Sequence, residues 1–158
     1  MSVPRLRQAV RAVLLDPDDR VLLVLFDFRH GLVWATPGGG IEPDESDEHA
    51  LRRELAEEVG LTEFELGPQV WYRTHLFELS SPYDGQHERC YLVRTGRFEP
   101  APRFSWEELR EEGMTDAHWW SLDELESSTA LFAPRQLPAL VRDLVDRGPP
   151  SAPIDADA

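Results

Sequence analysis

Glutamates stand at positions 54, 57 and 58 of this 158-residue chain, inside the run Leu51, Arg52, Arg53, Glu54, Leu55, Ala56, Glu57, Glu58, Val59, Gly60, Leu61. On a helix, the spacing i, i+3 and i+4 gathers three carboxylates on one face, and their oxygens suit a hard divalent cation such as Mg²⁺ or Mn²⁺. At about 100° per residue, Leu51, Leu55 and Val59 make an apolar stripe ~80° wide, and Glu58, Glu54 and Glu57 fall directly beside it. The position is unfavourable for negative charge. The helix dipole opposes it in the last turns, Glu54 and Glu58 repel as an (i, i+4) pair, and partial burial enlarges both costs. A bound cation removes all three penalties, while a solvated acidic helix paired with Arg52 and Arg53 is the other reading that the helix alone allows. Just upstream, Pro37, Gly38, Gly39 and Gly40 bring bare backbone to the start of the helix, as close approach to a phosphate or metal requires.

Loop and helix together resemble a known signature. Gly39, Glu45, Arg53, Glu54, Leu55, Glu57, Glu58, Gly60 and Leu61 match the 23-residue box of the Nudix (MutT-like) hydrolases: Gly, five residues, Glu, seven residues, Arg, Glu, an aliphatic, any residue, Glu, Glu, any residue, Gly, an aliphatic. The resemblance extends from about Arg7 to Arg147 through the flanking strand order, the Trp120, Ser121, Leu122 segment and the last helix. It implies an α+β fold, an α/β/α sandwich with a mixed β-sheet, and metal-dependent hydrolysis of a nucleoside diphosphate linked to another group. It makes Glu54, Glu57 and Glu58 the metal ligands, with the backbone carbonyl of Gly38. Gly39, Glu45 and Gly60 become structural positions of the box, and Arg53 holds a carboxylate in place. One departure is Asp44, where relatives often carry glycine.

The implied chemistry is water attack on phosphorus, with no covalent intermediate, aided by cations that offset the charge of the diphosphate. Relatives often take a general base from a late loop, and Glu112, in the acidic run Glu107, Glu108, Glu111, Glu112, is the first choice, with Glu54 the other candidate. Arg29, Arg73, Arg89 and Arg94 are candidates for phosphate contact. Phe28, Trp34, Trp71, Tyr72 and Phe77 include candidates to stack on a base, although most aromatics of a domain this size fill core.

These residues need elements to position them. Residues 7–15 and 21–26 read as an early hairpin around turn chemistry at 16–20, and 32–36 as a short strand running into the glycines. Residues 46–59 read as a helix capped by Ser46 or Asp47 and stopped by Gly60. Residues 70–79 and 88–95 read as longer strands, 106–112 as an acidic loop or short helix, 117–120 as a last strand, 122–125 as a helical turn, and 134–147 as an amphipathic helix. The expectation is one domain over 1–147 and a disordered tail over 148–158, rich in Pro, Ser, Ala and Asp.

Composition bounds the function. A net charge of -14, with all 16 basic residues arginine, disfavours DNA coating and anionic lipid, and the absence of lysine excludes Schiff-base and P-loop lysine chemistry. The single cysteine, Cys90, permits no internal disulfide and suits a reducing cytoplasm. No apolar run approaches a membrane span. The expected partner is a small-molecule nucleotide, and a homodimer is common among relatives. Two rival readings stand beside the hydrolase. A catalytically silent sensor of a nucleotide or sugar-nucleotide would ordinarily show a broken box, whereas this box keeps every glutamate. An isopentenyl diphosphate isomerase needs a cysteine ahead of the box, and Cys90 lies after it.

Overall fold

The structure is a computed structural model that describes residues 3–28, 31–76 and 82–157. Among these, a mixed sheet runs in the order β8-β3-β2-β1-β6-β5-β9, with β4 added beside β1 and β7 beside β2. Its strands are β1 (Leu6–Leu15), β2 (Val21–Phe28), β3 (Gly31–Ala35), β4 (Gly38–Gly40), β5 (Gln69–Leu76), β6 (Gly85–Arg94), β7 (Met114–Trp120), β8 (Phe132–Ala133) and β9 (Ile154–Asp155). The helices are α1 (Asp47–Glu58), α2 (Trp106–Glu111), α3 (Leu122–Ser127) and α4 (Leu137–Arg147). The α+β sandwich expected from the sequence is the one found.

Alternation along β1 explains the layers. Val10, Ala12 and Leu14 point to one face and pack with Leu51, Leu55 and Val59 of the box segment, and with Leu109 of α2. Val13 and Leu15 point to the other and pack with Leu125 of α3 and Leu137, Val141 and Leu144 of α4. The early hairpin is more open than expected. β1 and β2 register only at Leu15 and Val21, because β1 runs parallel to β6 along its whole length while β2 pairs with β3 and β7. The acidic segment after Ser105 resolves as helix α2, held by a capping box in which Ser105 and Glu108 satisfy each other's backbone N–H.

The tail differs from expectation. Instead of disorder after Gly148, Ile154 and Asp155 form β9, parallel to Trp71 and Tyr72 on the edge of β5. The Ala156 N–H donates to the Tyr72 carbonyl at 2.9 Å, and the Ala156 side chain is buried in the core cluster of Trp71, Phe132 and Leu137. Composition alone misses this because an open strand edge satisfies a short segment through its backbone, whatever its side chains.

Candidate active site

α1 presents the box glutamates, and its ends are fixed by local chemistry. Ser46 caps the start, its hydroxyl accepting from the His49 N–H at 3.1 Å. The chain leaves the helix at Gly60, whose φ of +79° and approach to the Ala101 carbonyl exclude a Cβ: one built there lies 2.0 Å from that oxygen. β4 lies beside β1, with Gly38 opposite Arg11. Gly38 has φ +145°, and a Cβ there would meet the Val10 carbonyl oxygen at 2.1 Å, so only glycine brings this strand onto β1. Asp44, in the loop between β4 and α1, has φ +69°, a left-handed conformation that glycine would adopt without strain.

Arg53 organises the site. Its Nε and Nη2 donate to the two oxygens of Glu45 at 2.8 Å each, Nη2 also reaches the Gly40 carbonyl at 3.0 Å, and Nη1 donates to Glu54 at 3.0 Å. Hydrogen bonding from Arg53 and from the Glu42 backbone holds the Glu45 carboxyl down at about 2. Loop, glycine strand and helix are thereby tied by one guanidinium.

Glu58 is buried, and its Oε1 accepts from the Gly38 N–H at 2.8 Å. Burial, together with the charge of Glu54, pushes its carboxyl up to about 8. Burial also raises the Glu54 and Glu57 carboxyls, and the charge of Glu112 adds to the rise in all three glutamates. Glu112, at the end of α2, therefore faces the box glutamates, and with them it lines a cavity of about 1250 Å³. Glu107, Glu108 and Glu111 do not line it.

The carboxylates are less convergent than the helical wheel implies. Among the described residues no three acidic, histidine or cysteine side chains stand close enough to enclose an ion as placed. Glu58 turns to Gly38, and Arg53 lies 3.0 Å from Glu54 and 3.5 Å from Glu57. Like charges separate onto whatever donors are nearby. The donor set nevertheless fits an oxygen-seeking cation, since Glu58 is a buried carboxylate with one backbone donor on Oε1 and Glu54 lies over bare backbone. A Cβ on Gly39 would stand 2.7 Å from the Glu54 carboxylate.

The sheet supplies the rest of the cavity. On one face of β1, β6 and β5, the apolar residues Val13, Leu15, Cys90, Leu92 and Trp71 give way, two residues along, to Arg11, Glu88 and Arg73 and then to Arg7, Gln86 and His75. Arg11 pairs with Glu88 at 3.0 Å and donates to the Thr36 carbonyl at 2.8 Å, while Arg7 donates to the Gln86 amide oxygen at 3.2 Å. Burial alone would raise the Glu88 carboxyl, but the charge of Arg11 with help from His75 and Arg73 holds it well below the usual carboxylate range.

Sequence reasoning missed Arg7 and Arg11, whose signal is a charged residue recurring at even spacing within a Val- and Ala-rich strand. Among the described residues, the Phe and Tyr side chains that line the cavity are Phe26, Tyr83 and Phe104. Trp71 is core and Trp34 stacks edge-on against Trp120 at 5.2 Å. Tyr72 packs beside His87. Two arginine expectations are corrected. Arg89 is spent on the fold, donating to both oxygens of Asp47 at 2.7 and 2.8 Å and to Gln8 at 2.7 Å, and Arg94 is an exposed residue at the end of β6, outside the cavity lining. Alternation along β6 puts its even positions on the cavity face, which turns Arg89 away, and Arg94, although even, lies past the core residues Cys90 and Leu92 at the end of the strand remote from Gln86 and Glu88. Arg29, Phe77 and the side chain of Phe28 lie outside the described residues.

Comparison with known proteins bears on family and fold. The NUDIX domain profile matches residues 5–141. An RNA pyrophosphohydrolase of Campylobacter jejuni is 38% identical over 68 residues, 39% of this chain and 44% of that protein. The Escherichia coli nucleoside triphosphatase NudI is 40% identical over 62 residues, 38% of this chain and 43% of its own length. The chain thus spans less than half the length of these curated relatives. A NUDIX hydrolase structure from Nitrosomonas europaea superposes with a TM-score of 0.63 at 23% identity, covering 92% of both chains.

Proposed function

This chain belongs to the Nudix family, and from that premise we propose that it hydrolyses the diphosphate linkage of a nucleoside diphosphate derivative, using Mg²⁺ or Mn²⁺. The observation that carries the reading is the meeting of Glu54, Glu57, Glu58 and Glu112 with the glycine strand β4 in a cavity that also holds Arg7, Arg11 and Arg73. Acidic side chains there would hold cations, and arginines would face an anionic substrate.

Glu54, Glu57, Glu58 and the Gly38 carbonyl would hold the ion, which when bound neutralises phosphate charge and acidifies water. Arg53 keeps Glu54 and the Gly40 carbonyl in register and so positions without touching substrate. Glu112 accepts the proton of the attacking water, since Glu88, the other cavity carboxylate from outside the box, is paired with Arg11. Phe26, Tyr83 and Phe104 offer apolar surface for a base, and Arg7, on its neutral partner Gln86, is placed to bind a phosphate oxygen. A volume near 1250 Å³ accommodates a nucleotide with a further group attached. The buried Cys90, whose thiol burial pushes up to about 12, suits a reducing compartment such as the cytoplasm.

Release of phosphate, pyrophosphate or nucleotide from a panel of nucleoside triphosphates, nucleotide sugars, ADP-ribose, dinucleoside polyphosphates and 5′-triphosphorylated RNA, with Mg²⁺ and with Mn²⁺, tests this. Turnover of at least one member, lost in Glu57→Gln, is expected. An inert panel overturns hydrolysis, and tight binding without turnover would identify a nucleotide sensor instead.

A further inference from the structure

The cavity's arginines differ in what holds them. Arg11 is held by Glu88, a buried carboxylate of β6, and Arg53 by Glu45, which the loop before α1 fixes through the Glu42 N–H. Arg73 is held from outside that framework. Its Nε donates to Asp157, 2.9 Å from Oδ2 and 3.2 Å from Oδ1, and Asp157 belongs to the segment that adds β9 to the sheet edge. That segment is secured by a two-residue strand and by Ala156, and the Asp157 side chain is still 39% exposed. Arg73 lines both the main cavity and an adjoining one of about 540 Å³, whose lining also includes Arg135, Gln136 and Asp157 itself.

We propose that the C-terminal segment is an internal competitor for the anionic part of the substrate: Asp157 occupies Arg73 until a phosphoryl group displaces it and frees the strap. Glu88 cannot yield in this way without unmaking buried structure, nor Glu45 without giving up the loop hydrogen bond from the Glu42 N–H, whereas Asp157 can leave into solvent. The inference rests on reading the cavity as the substrate site. Displacement also couples binding to order, since the Ala156 hydrogen bond to Tyr72 and its burial against Trp71 are adjacent in the chain to the displaced carboxylate.

Calorimetric titration of the full chain with inorganic pyrophosphate in Mg²⁺ tests this, alongside hydrogen exchange of the Ala156 amide. Asp157→Asn should bind about two- to fivefold tighter, the range of a partly exposed ion pair. Ala156→Asp, which expels the segment from the core, should bind at least as tightly as Asp157→Asn. Asp157→Asn should have no effect in an Arg73→Gln background, and pyrophosphate should speed exchange at Ala156. Unchanged affinity in Asp157→Asn, or exchange at Ala156 indifferent to bound pyrophosphate, overturns the strap. Pyrophosphate that binds no variant, while the substrate panel turns over, also overturns it and leaves the hydrolase reading standing. An inert panel with tighter pyrophosphate binding in Asp157→Asn keeps the strap and sinks the hydrolase.

Discussion

Glu57 and Glu112 are both cavity carboxylates, yet they should fail differently when neutralised. If Glu57 helps hold the ion, Glu57→Gln weakens Mn²⁺ binding, read by electron paramagnetic resonance, and lowers kcat/KM by about 100-fold or more. If Glu112 takes the proton, Glu112→Gln lowers kcat by roughly 10²- to 10⁴-fold with Mn²⁺ affinity nearly unchanged. Equal loss of Mn²⁺ affinity in both variants would make Glu112 a ligand rather than a base. Asp44 carries a separate residue-scale consequence. Its φ of +69° is strained for a side chain, so Asp44→Gly should raise stability by up to about 1 kcal/mol in thermal unfolding, glycine's greater freedom in the unfolded chain offsetting part of the gain.

At the scale of elements, the first turn of α1 is moored to the sheet. Asp47 receives Arg89 through two charge-assisted hydrogen bonds and Tyr91 through a third, all from β6. Hydrogen bonding from Arg89 outweighs partial burial and lowers the Asp47 carboxyl. Arg89→Gln should therefore cost about 1 kcal/mol of stability after solvent screening, while leaving KM for the nucleotide unchanged. A large rise in KM with unaltered melting would instead restore Arg89 as a phosphate contact. The other end of the helix needs no such mooring, because Leu51, Leu55 and Val59 are buried against Val10, Ala12 and Leu14.

At the scale of the molecule, the polar half of the β1, β6 and β5 face is an ion network set on a core. Glu88 is surrounded by Arg11 from β1, Arg73 and His75 from β5, and Gln86 from its own strand. Its carboxyl is depressed in the folded protein, so its contribution to stability is present above the unfolded glutamate value of about 4.3 and is lost as pH falls through the lower folded value. Urea unfolding from pH 6 down to pH 3 should show stability falling more steeply in the native chain than in Glu88→Gln. Parallel acid limbs would remove Glu88 from the account.

The box was legible in the sequence because nine fixed positions act within a single loop and helix, where spacing alone decides which side chains share a face. The layers were legible too, since alternation and helical period assign Val10 and Leu51 to a core before any coordinates exist. Which arginines reach the cavity was not. Arg89 and Arg94 belong to one strand, and only the parallel register of β1 with β6 and the antiparallel register of β5 with β6 put Arg7, Arg11 and Arg73 together at the end where the core stops. The C-terminal segment lies further still from local prediction. Its composition forbids a core of its own, and its order comes from a strand edge about 80 residues away along the chain. Local spacing carries the chemistry of a contiguous motif, whereas contacts between distant segments depend on register and edges that only the assembled sheet supplies.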